Sequence, residues 1–337
     1  MRQFKVAVFI GRFQIFHNGH VEVVRRALTQ ADNVIIVVGS ADEPRSYYNP
    51  FTFKERLQMI NDSLGHNERV RVVPVSDFTY NEDEWLQNVQ KAVNSCTEAA
   101  DSDIALIGHS KDNTSYYLNM FPQWKSINVP SFADGLSATT IRNEYFKNND
   151  SLLMDIPIGS LNFLNAFRVS DAWWHMHYEF EFIERYGRPW GKGPFVTVDA
   201  CVVQSGHILM IRRGGRPGQG LLALPGGFIN RDETLKSAML RELREETEID
   251  VPPGVLQGAT IATEAFDAPR RDPRARIITH TFLVNLPKNA KLPKVRGADD
   301  AAEAMWIQLN DLKGTECFGD HWHIIQRMRG YIPKDPR

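Results

Sequence analysis

The chain has 337 residues, enough for two ordinary domains, and its 42% hydrophobic and 24% charged content is that of a globular protein in water. A formal net charge of −2 excludes a strong general pull toward nucleic acid or an anionic membrane, and no apolar run approaches the ~20 residues that a membrane helix needs. Cys96, Cys201 and Cys317 are widely separated and form no metal-ligand spacing, which fits a reduced cytoplasmic setting, and the apolar run ending at Gly11 is too short for a signal peptide.

In chain order, the β-branched runs Val6 to Ile10, Val34 to Val38, Val70 to Val75 and Ile104 to Ile107 read as strands. They alternate with amphipathic stretches, Val21 to Gln30, Phe53 to Leu64 and Trp85 to Asn94, which read as helices. This alternation predicts a doubly wound α/β domain with a parallel sheet. Residues 151 to 186 carry aromatic residues at helical spacing and are expected to complete that domain over residues 1–186. Three glycines and two prolines in Gly187 to Pro194 predict a linker, 187–194. Beyond it the pattern changes. Val196 to Val203, Ile208 to Arg212, Ala275 to Leu286 and Ala304 to Gln308 read as strands, with helices over Thr234 to Glu248 and His323 to Arg329. Residues 195–337 are therefore expected to form an α+β domain.

The segment Gly11-Arg-Phe-Gln-Ile-Phe-His17-Asn-Gly-His20 falls between the first strand and the first helix. Free backbone amides and the positive end of the helix dipole make such a turn a seat for phosphate, with Gly19 allowing close backbone approach. His17 and His20, three apart, are candidate donors to a leaving pyrophosphate. His17-Asn-Gly-His20 resembles the HxGH signature of the nucleotidylyltransferase superfamily. Leu136-Ser137-Ala-Thr139-Thr-Ile-Arg142 resembles its Ile-Ser-x-Thr-x-x-Arg motif, with leucine as the departure. The segment Arg45 to Arg56, through Asn49-Pro50-Phe51-Thr, and Gly108-His109-Ser-Lys111-Asp112 are similar to stretches of the archaeal-type nicotinamide mononucleotide adenylyltransferases. The resemblance implies a Rossmann-like fold and adenylyl transfer from ATP to nicotinamide mononucleotide, giving NAD and pyrophosphate. It implies catalytic roles for His17, His20, Lys111 and Arg142. It assigns substrate contacts to Gly11, Arg12, Phe13, Asn49, Gly108, Ser137 and Thr139, with Trp85 stacking on the nicotinamide ring.

The second signal is Gly227, Glu233 and Arg241-Glu242-Leu243-Arg244-Glu245-Glu246-Thr-Glu248-Ile249. On a helix, Glu242, Glu245 and Glu246 share one face, and so dense a set of hard oxygen ligands suits Mg²⁺ or Mn²⁺. This stretch resembles the Nudix box, with Leu224 to Phe228 at the family spacing before it and one departure, Glu248 in place of glycine. A glutamate there is expected to extend the helix or strain its end, and it adds a carboxylate near the metals. The resemblance implies a Nudix fold and a metal held by Glu242, Glu245, Glu246 and Gly226, with Glu245 and Glu246 catalytic. Arg241 is expected to orient a glutamate by ion pairing, and Glu233 to do likewise from the helix's start. The basic loop Arg270-Arg271-Asp272-Pro-Arg274 is similar to that of Nudix proteins handling ADP-ribose. It implies substrate contacts from Arg271 and Arg274, with Phe266 stacked on adenine and Glu303 a candidate base.

The whole chain resembles bacterial proteins that join these two enzyme types. The expected partners are nicotinamide mononucleotide, ATP, NAD and ADP-ribose, with no nucleic acid and no membrane, and a homo-oligomer is compatible with the sequence. An alternative for the second half is an ADP-ribose- or NAD-binding sensor, or action on another nucleoside diphosphate derivative. An alternative for the first is nicotinate mononucleotide as acceptor.

Overall fold

The computed structural model describes residues 2–108, 120–129, 137–151, 153–191, 193–289 and 291–333. The chain divides into two compact units, Met1–Phe180 and Glu181–Arg337.

The first unit runs β1 (Phe4–Gly11), α1 (Asn18–Gln30), β2 (Ala31–Val38), α2 (Phe53–Ser63), β3 (Val70–Pro74), α3 (Glu82–Asn94), β4 (Ile104–Gly108), β5 (Lys125–Asn128), α4 (Ala138–Phe146), α5 (Ile158–Phe167) and the start of α6 (Asp171–Trp190). Its five strands pair in the order β3-β2-β1-β4-β5, all parallel. Side chains alternate between the two faces of a strand, and here both faces are buried. Ala7, Phe9, Val34, Ile36 and Ile107 enter one core with α1, α2 and α4 to α6. Val6, Val8, Ile35, Val37 and Leu106 enter another with α3. That is why these strands read as unbroken apolar runs. The described residues thus form the expected Rossmann-like sheet.

The predicted linker begins inside a helix. Helix α6 continues through Gly187 and Pro189 to Trp190, and the chain turns at Gly191 with φ of 77°. A single glycine costs only about 1 kcal/mol in a helix, too little to end one, whereas the left-handed residue at Gly191 does so readily.

The second unit contains β6 (Phe195–Gln204), β7 (His207–Arg213), β8 (Leu222–Ala223), β9 (Gly226–Phe228), α7 (Leu235–Thr247), α8 (Pro253–Gly258), β10 (Thr260–Phe266), β11 (Ile277–Asn285), β12 (Ala301–Gln308) and α9 (His321–Arg329). The sheet order is β10-β11-β6-β7-β12, with β6 and β11 parallel. Val198, Ala200 and Val202 of β6 pack with Ala238, Met239 and Leu243 of α7. The alternate residues Thr197 and Asp199 therefore point to the opposite face, where they border a cavity. No helix among the described residues is long and apolar enough to cross a membrane.

Candidate functional site

In the first unit β1 ends at Gly11 and β4 at Gly108, beside the point where the strand order reverses. Open α/β sheets bind ligands in the crevice beyond the strand ends at such a point. Phe13 leaves β1 with φ of 51° and folds back, so that a Cβ on Gly11 would come within 2.8 Å of its ring. Phe13 is 3% exposed, and its ring meets the face of His20 edge-on at 5.0 Å. It supports a site residue and is too deeply buried to offer its ring to a substrate.

His17 is the N-cap of α1, with an extended backbone, and does not belong to the helix's first turn. Its Nδ1 accepts from the Gly19 amide at 3.1 Å, and Nδ1 of His20 accepts from the His17 amide at 3.2 Å. Two imidazoles stacked at 3.7 Å thus form the capping box of the helix. With Nδ1 accepting, a neutral ring carries its proton on Nε2. The cap therefore fixes which nitrogen of each histidine is the donor.

The loops around these histidines are held by residues to which the motifs assigned no role. Arg56 of α2 is 1% exposed and donates to the carbonyls of Arg12, Gly39 and Ser40 at 2.7–2.8 Å. Burial lowers its pKa to about 10, which still leaves it charged at neutral pH. Gln14 exchanges two 3.0 Å hydrogen bonds with the backbone of Phe51, and Asp77 accepts from the amide and hydroxyl of Ser40. These three side chains join the loop after β1 to those after β2 and β3.

Asn49 lies in the loop held by Gln14, half-buried. Ser137 is the N-cap of α4 and accepts from the Thr139 amide at 3.3 Å, with Thr139 exposed. Arg142 is 3% exposed and donates to the Tyr48 carbonyl at 3.1 Å, its guanidinium over the Tyr47 ring. It anchors the Tyr47–Tyr48 loop. Trp85 is half-buried against the core of its helix, 6.1 Å from the Phe121 ring. Lys111, with His109 and Asp112, lies outside the described residues.

In the second unit α7 brings the box glutamates together as its periodicity requires. Arg241 lies among them: it donates to Glu233 at 2.6 Å, Glu242 at 2.8 Å, Glu245 at 3.0 Å and the Phe228 carbonyl at 3.1 Å. Hydrogen bonding to Arg241 lowers the Glu233 carboxyl to about 2. Glu246 turns the other way and accepts from the Gly226 amide at 2.8 Å. Burial, reinforced by the charges of Glu242 and Asp199, pushes its carboxyl up to about 8. Burial also raises Glu242, against the pull of Arg241. Glycine is required at Gly226, where a Cβ would collide with the Val198 carbonyl oxygen, whereas at Gly227 a Cβ would meet the Glu242 carboxylate at 2.5 Å and push it aside.

No three His, Cys, Asp or Glu side chains among the described residues form a ready-made ion-holding group. The reason is visible in the hydrogen bonds, since Arg241 draws Glu242 and Glu245 while Glu246 turns to Gly226. The donor set still suits a hard divalent cation. Glu242 and Glu246 are carboxylates whose ionisation is opposed by burial and by the charges of neighbouring acids, and a cation beside them would relieve both.

These acids border a cavity of about 620 Å³, shared with Asp199, Arg213, Arg271 and Arg274. The basic loop enters it already paired. Arg271 forms a two-pronged ion pair with Asp320, both bonds at 2.9 Å. Arg274 pairs with Asp272 at 2.7 Å and lies over the rings of Tyr186 and Phe228. Phe266, expected to stack on adenine, is 1% exposed at the end of an edge strand and belongs to the core. The aromatic rings at the cavity are those of Phe182, Tyr186, Phe228 and Phe318. Glu303 is paired with Arg212 at 3.5 Å and is not at the cavity wall, whereas Asp299 and Asp300 are.

Glu248, the departure from the box, neither extends the helix nor joins the metal site. Helix α7 ends at Thr247, and Glu248 is its C-cap with φ 41° and ψ 37°, the left-handed conformation that glycine adopts at no steric cost. Its carboxylate forms a two-pronged pair with Arg296 at 2.6 and 2.7 Å.

The histidine-capped strand-to-helix turn and the glutamate face beside Gly226 define a nucleotidylyltransferase joined to a Nudix protein. Residues 8–144 match the cytidylyltransferase-like family and residues 193–328 the NUDIX domain family. The nicotinamide/nicotinic acid mononucleotide adenylyltransferase of Acinetobacter baylyi is 38% identical over 175 residues, 51% of this chain and 92% of the relative. The ADP-ribose pyrophosphatase of Methanocaldococcus jannaschii is 34% identical over 133 residues, 40% of this chain and 72% of the relative. A crystal structure of a bifunctional NMN adenylyltransferase/ADP ribose pyrophosphatase from Francisella tularensis, complexed with AMP and a Mn ion, is 34% identical. It superposes with a TM-score of 0.91 over 97% of this chain and 99% of that one. The chain belongs to the family of bifunctional NMN adenylyltransferase/ADP-ribose pyrophosphatases.

Proposed function

We propose that the first unit transfers the adenylyl group of ATP to nicotinamide mononucleotide, and that the second hydrolyses ADP-ribose to AMP and ribose 5-phosphate. The observation that carries this reading is that the chain holds two chemically different constellations, each within its own unit: the histidine cap of α1 in the first and the glutamate face of α7 in the second. In the first reaction a phosphate oxygen of the mononucleotide forms a bond to the α-phosphorus of ATP, and the bond to the pyrophosphate oxygen breaks. No protein nucleophile is needed. His17 and His20, held by their own cap, donate from Nε2 to phosphate oxygens as charge builds on the leaving pyrophosphate. Gly11, Arg12 and Gly108 line the crevice, Ser137 and Thr139 offer an amide and hydroxyls at the start of α4, and Arg142, Asn49 and Trp85 support its walls. Lys111 is assigned to phosphate on its motif.

In the second reaction water adds to a phosphorus of the diphosphate and the P–O–P linkage opens. Glu242, Glu245 and Glu246, with Gly226, would hold Mg²⁺ or Mn²⁺, which supplies charge neutralisation and an acidified water. Arg241 keeps the glutamates apart and oriented, and the Asp320 and Asp272 pairs hold Arg271 and Arg274 at the cavity.

The test uses the full chain in two assays, NAD formation from ATP and the mononucleotide, and AMP release from ADP-ribose with Mg²⁺ or Mn²⁺. His20→Ala is expected to lower NAD formation at least ~100-fold and spare AMP release. Glu246→Gln is expected to do the reverse. Loss of both activities in either variant while it stays folded would sink the two-site reading. ADP-ribose that binds and stays intact would make the second unit a sensor. The Acinetobacter relative is named for both nicotinamide and nicotinic acid mononucleotides, so competition between the two acceptors decides the preference of this chain.

A further inference from the structure

His321 carries no role in the sequence motifs, yet it stands at the wall of the cavity in the second unit. It is the first residue of α9 and is 7% exposed. Its Nδ1 accepts from the Leu224 amide at 3.0 Å, two residues before the glycine whose amide holds Glu246. Burial lowers its pKa, outweighing the attraction of Asp199 and Asp320. The ring is therefore neutral near pH 7, and with Nδ1 accepting its one proton lies on Nε2.

The acids that share the cavity wall with His321 have other partners. Asp320 holds Arg271 at 2.9 Å. Asp199 accepts from the Thr279 hydroxyl at 2.6 Å. Glu246 accepts from Gly226. Nε2 is not among the buried polar atoms that lack a partner, so it opens to the cavity, where a ligand acceptor would replace water. Arg213, Arg216, Arg241, Arg271 and Arg274 share the cavity with eight carboxylates, so its arginines would receive a phosphate group where a divalent cation offsets the acids.

We propose that His321 is a substrate-binding residue that donates its Nε2–H to a phosphate oxygen of the nucleoside diphosphate in this cavity. The proposal rests on the hydrolase reading above. It assigns to α9 a neutral donor whose tautomer is set by the backbone of the Leu224 strand end. A neutral donor beside Asp199 and Glu246 has an advantage over a further cation: it contributes a directed hydrogen bond without competing with a metal for the carboxylates.

The two ring nitrogens can be separated by substitution in the full chain. In His321→Asn the side-chain oxygen reproduces the Nδ1 acceptor for Leu224 but nothing reaches the Nε2 position. In His321→Gln the amide reaches the Nε2 position. The expected result is that His321→Asn keeps the wild-type Tm and loses about 10- to 100-fold in kcat/KM for ADP-ribose. His321→Gln is expected to recover part of that loss relative to His321→Ala, and NAD formation stays at the wild-type level in all three. Calorimetric titration should show weaker AMP binding in His321→Asn and unchanged adenosine binding, because the acceptor is a phosphate oxygen. Wild-type kcat/KM in His321→Asn, or His321→Gln no better than His321→Ala, overturns the proposal, and equal loss for AMP and adenosine moves the acceptor to the nucleoside. Absence of ADP-ribose turnover in the wild type counts against the hydrolase reading, and the AMP and adenosine titrations then still decide the role of His321.

Discussion

Glu246 is harder to ionise in the folded chain than in the unfolded one, because its carboxyl rises from 4.5 to about 8 through burial. The folded state therefore binds more protons than the unfolded state between about 4.5 and about 8, and the stability of metal-free protein falls as pH rises through that window. Thermal unfolding of the second unit in chelator is expected to show this decline, and Glu246→Gln to flatten it. A Tm that rises across the window in the wild type would contradict the assignment. Arg56 makes the opposite kind of contribution, a buried cation whose removal leaves the carbonyls of Arg12, Gly39 and Ser40 unsatisfied. Arg56→Met is expected to cost about 3 kcal/mol by denaturant unfolding. Arg56→Lys is expected to restore only part, since an ammonium cannot reproduce a planar fork. The histidines and glutamates of the two motifs were legible because their spacing is local. Arg56 closes the motif that begins at Arg45, but its part in holding the loops was not legible there. Asp199 and His321 went unnoticed because their partners lie 80 and 97 positions away, where only the fold brings them together.

The end of α7 illustrates how an element absorbs a departure from its family pattern. Glu248 takes the left-handed cap conformation, and the segment 294–298 lies along the helix end. The Arg296 amide donates to the Thr247 carbonyl at 2.8 Å, and the Ala298 amide to the Glu246 carbonyl at 3.2 Å. These bonds satisfy carbonyls that a helix terminus leaves open. The Glu248–Arg296 pair is exposed, and exposed pairs contribute little, whereas glycine relieves a strained cap. Glu248→Gly is therefore expected to leave Tm unchanged or raise it, read by calorimetry, and a clear fall would mean that the pair holds the segment in place. Among elements, the buried strands of the first sheet were plain from their apolar runs. Strand β10 was missed because six of its seven residues are at least partly exposed, in an alternation without a strong apolar face. Strand β5 was missed because it has four residues. Helix α6 was cut short because Gly187 and Pro189 look like an interruption in sequence, although the helix runs through both to Trp190.

At the scale of the whole chain, the two units occupy successive stretches of sequence, yet their boundary is not where composition changes. Phe182 and Tyr186 of α6 line the cavity of the second unit. A fragment starting at residue 191 is expected to hydrolyse ADP-ribose with a higher KM than one starting at residue 181. Equal KM values would show that these rings do not touch the substrate. The parallel pairing of β6 with β11 has a further consequence, for the order of events during synthesis. The Asp199–Thr279 bond in that pairing spans 80 positions, and the whole of α7 lies inside the enclosed loop. Closing a loop of that size is slow compared with forming a helix or hairpin. A nascent chain that has emerged only as far as residue 266 carries every glutamate of the box but has no β11 to lie against β6. Such a chain should remain open to proteases and collapse into a resistant form only once Ile277–Asn285 has left the ribosome.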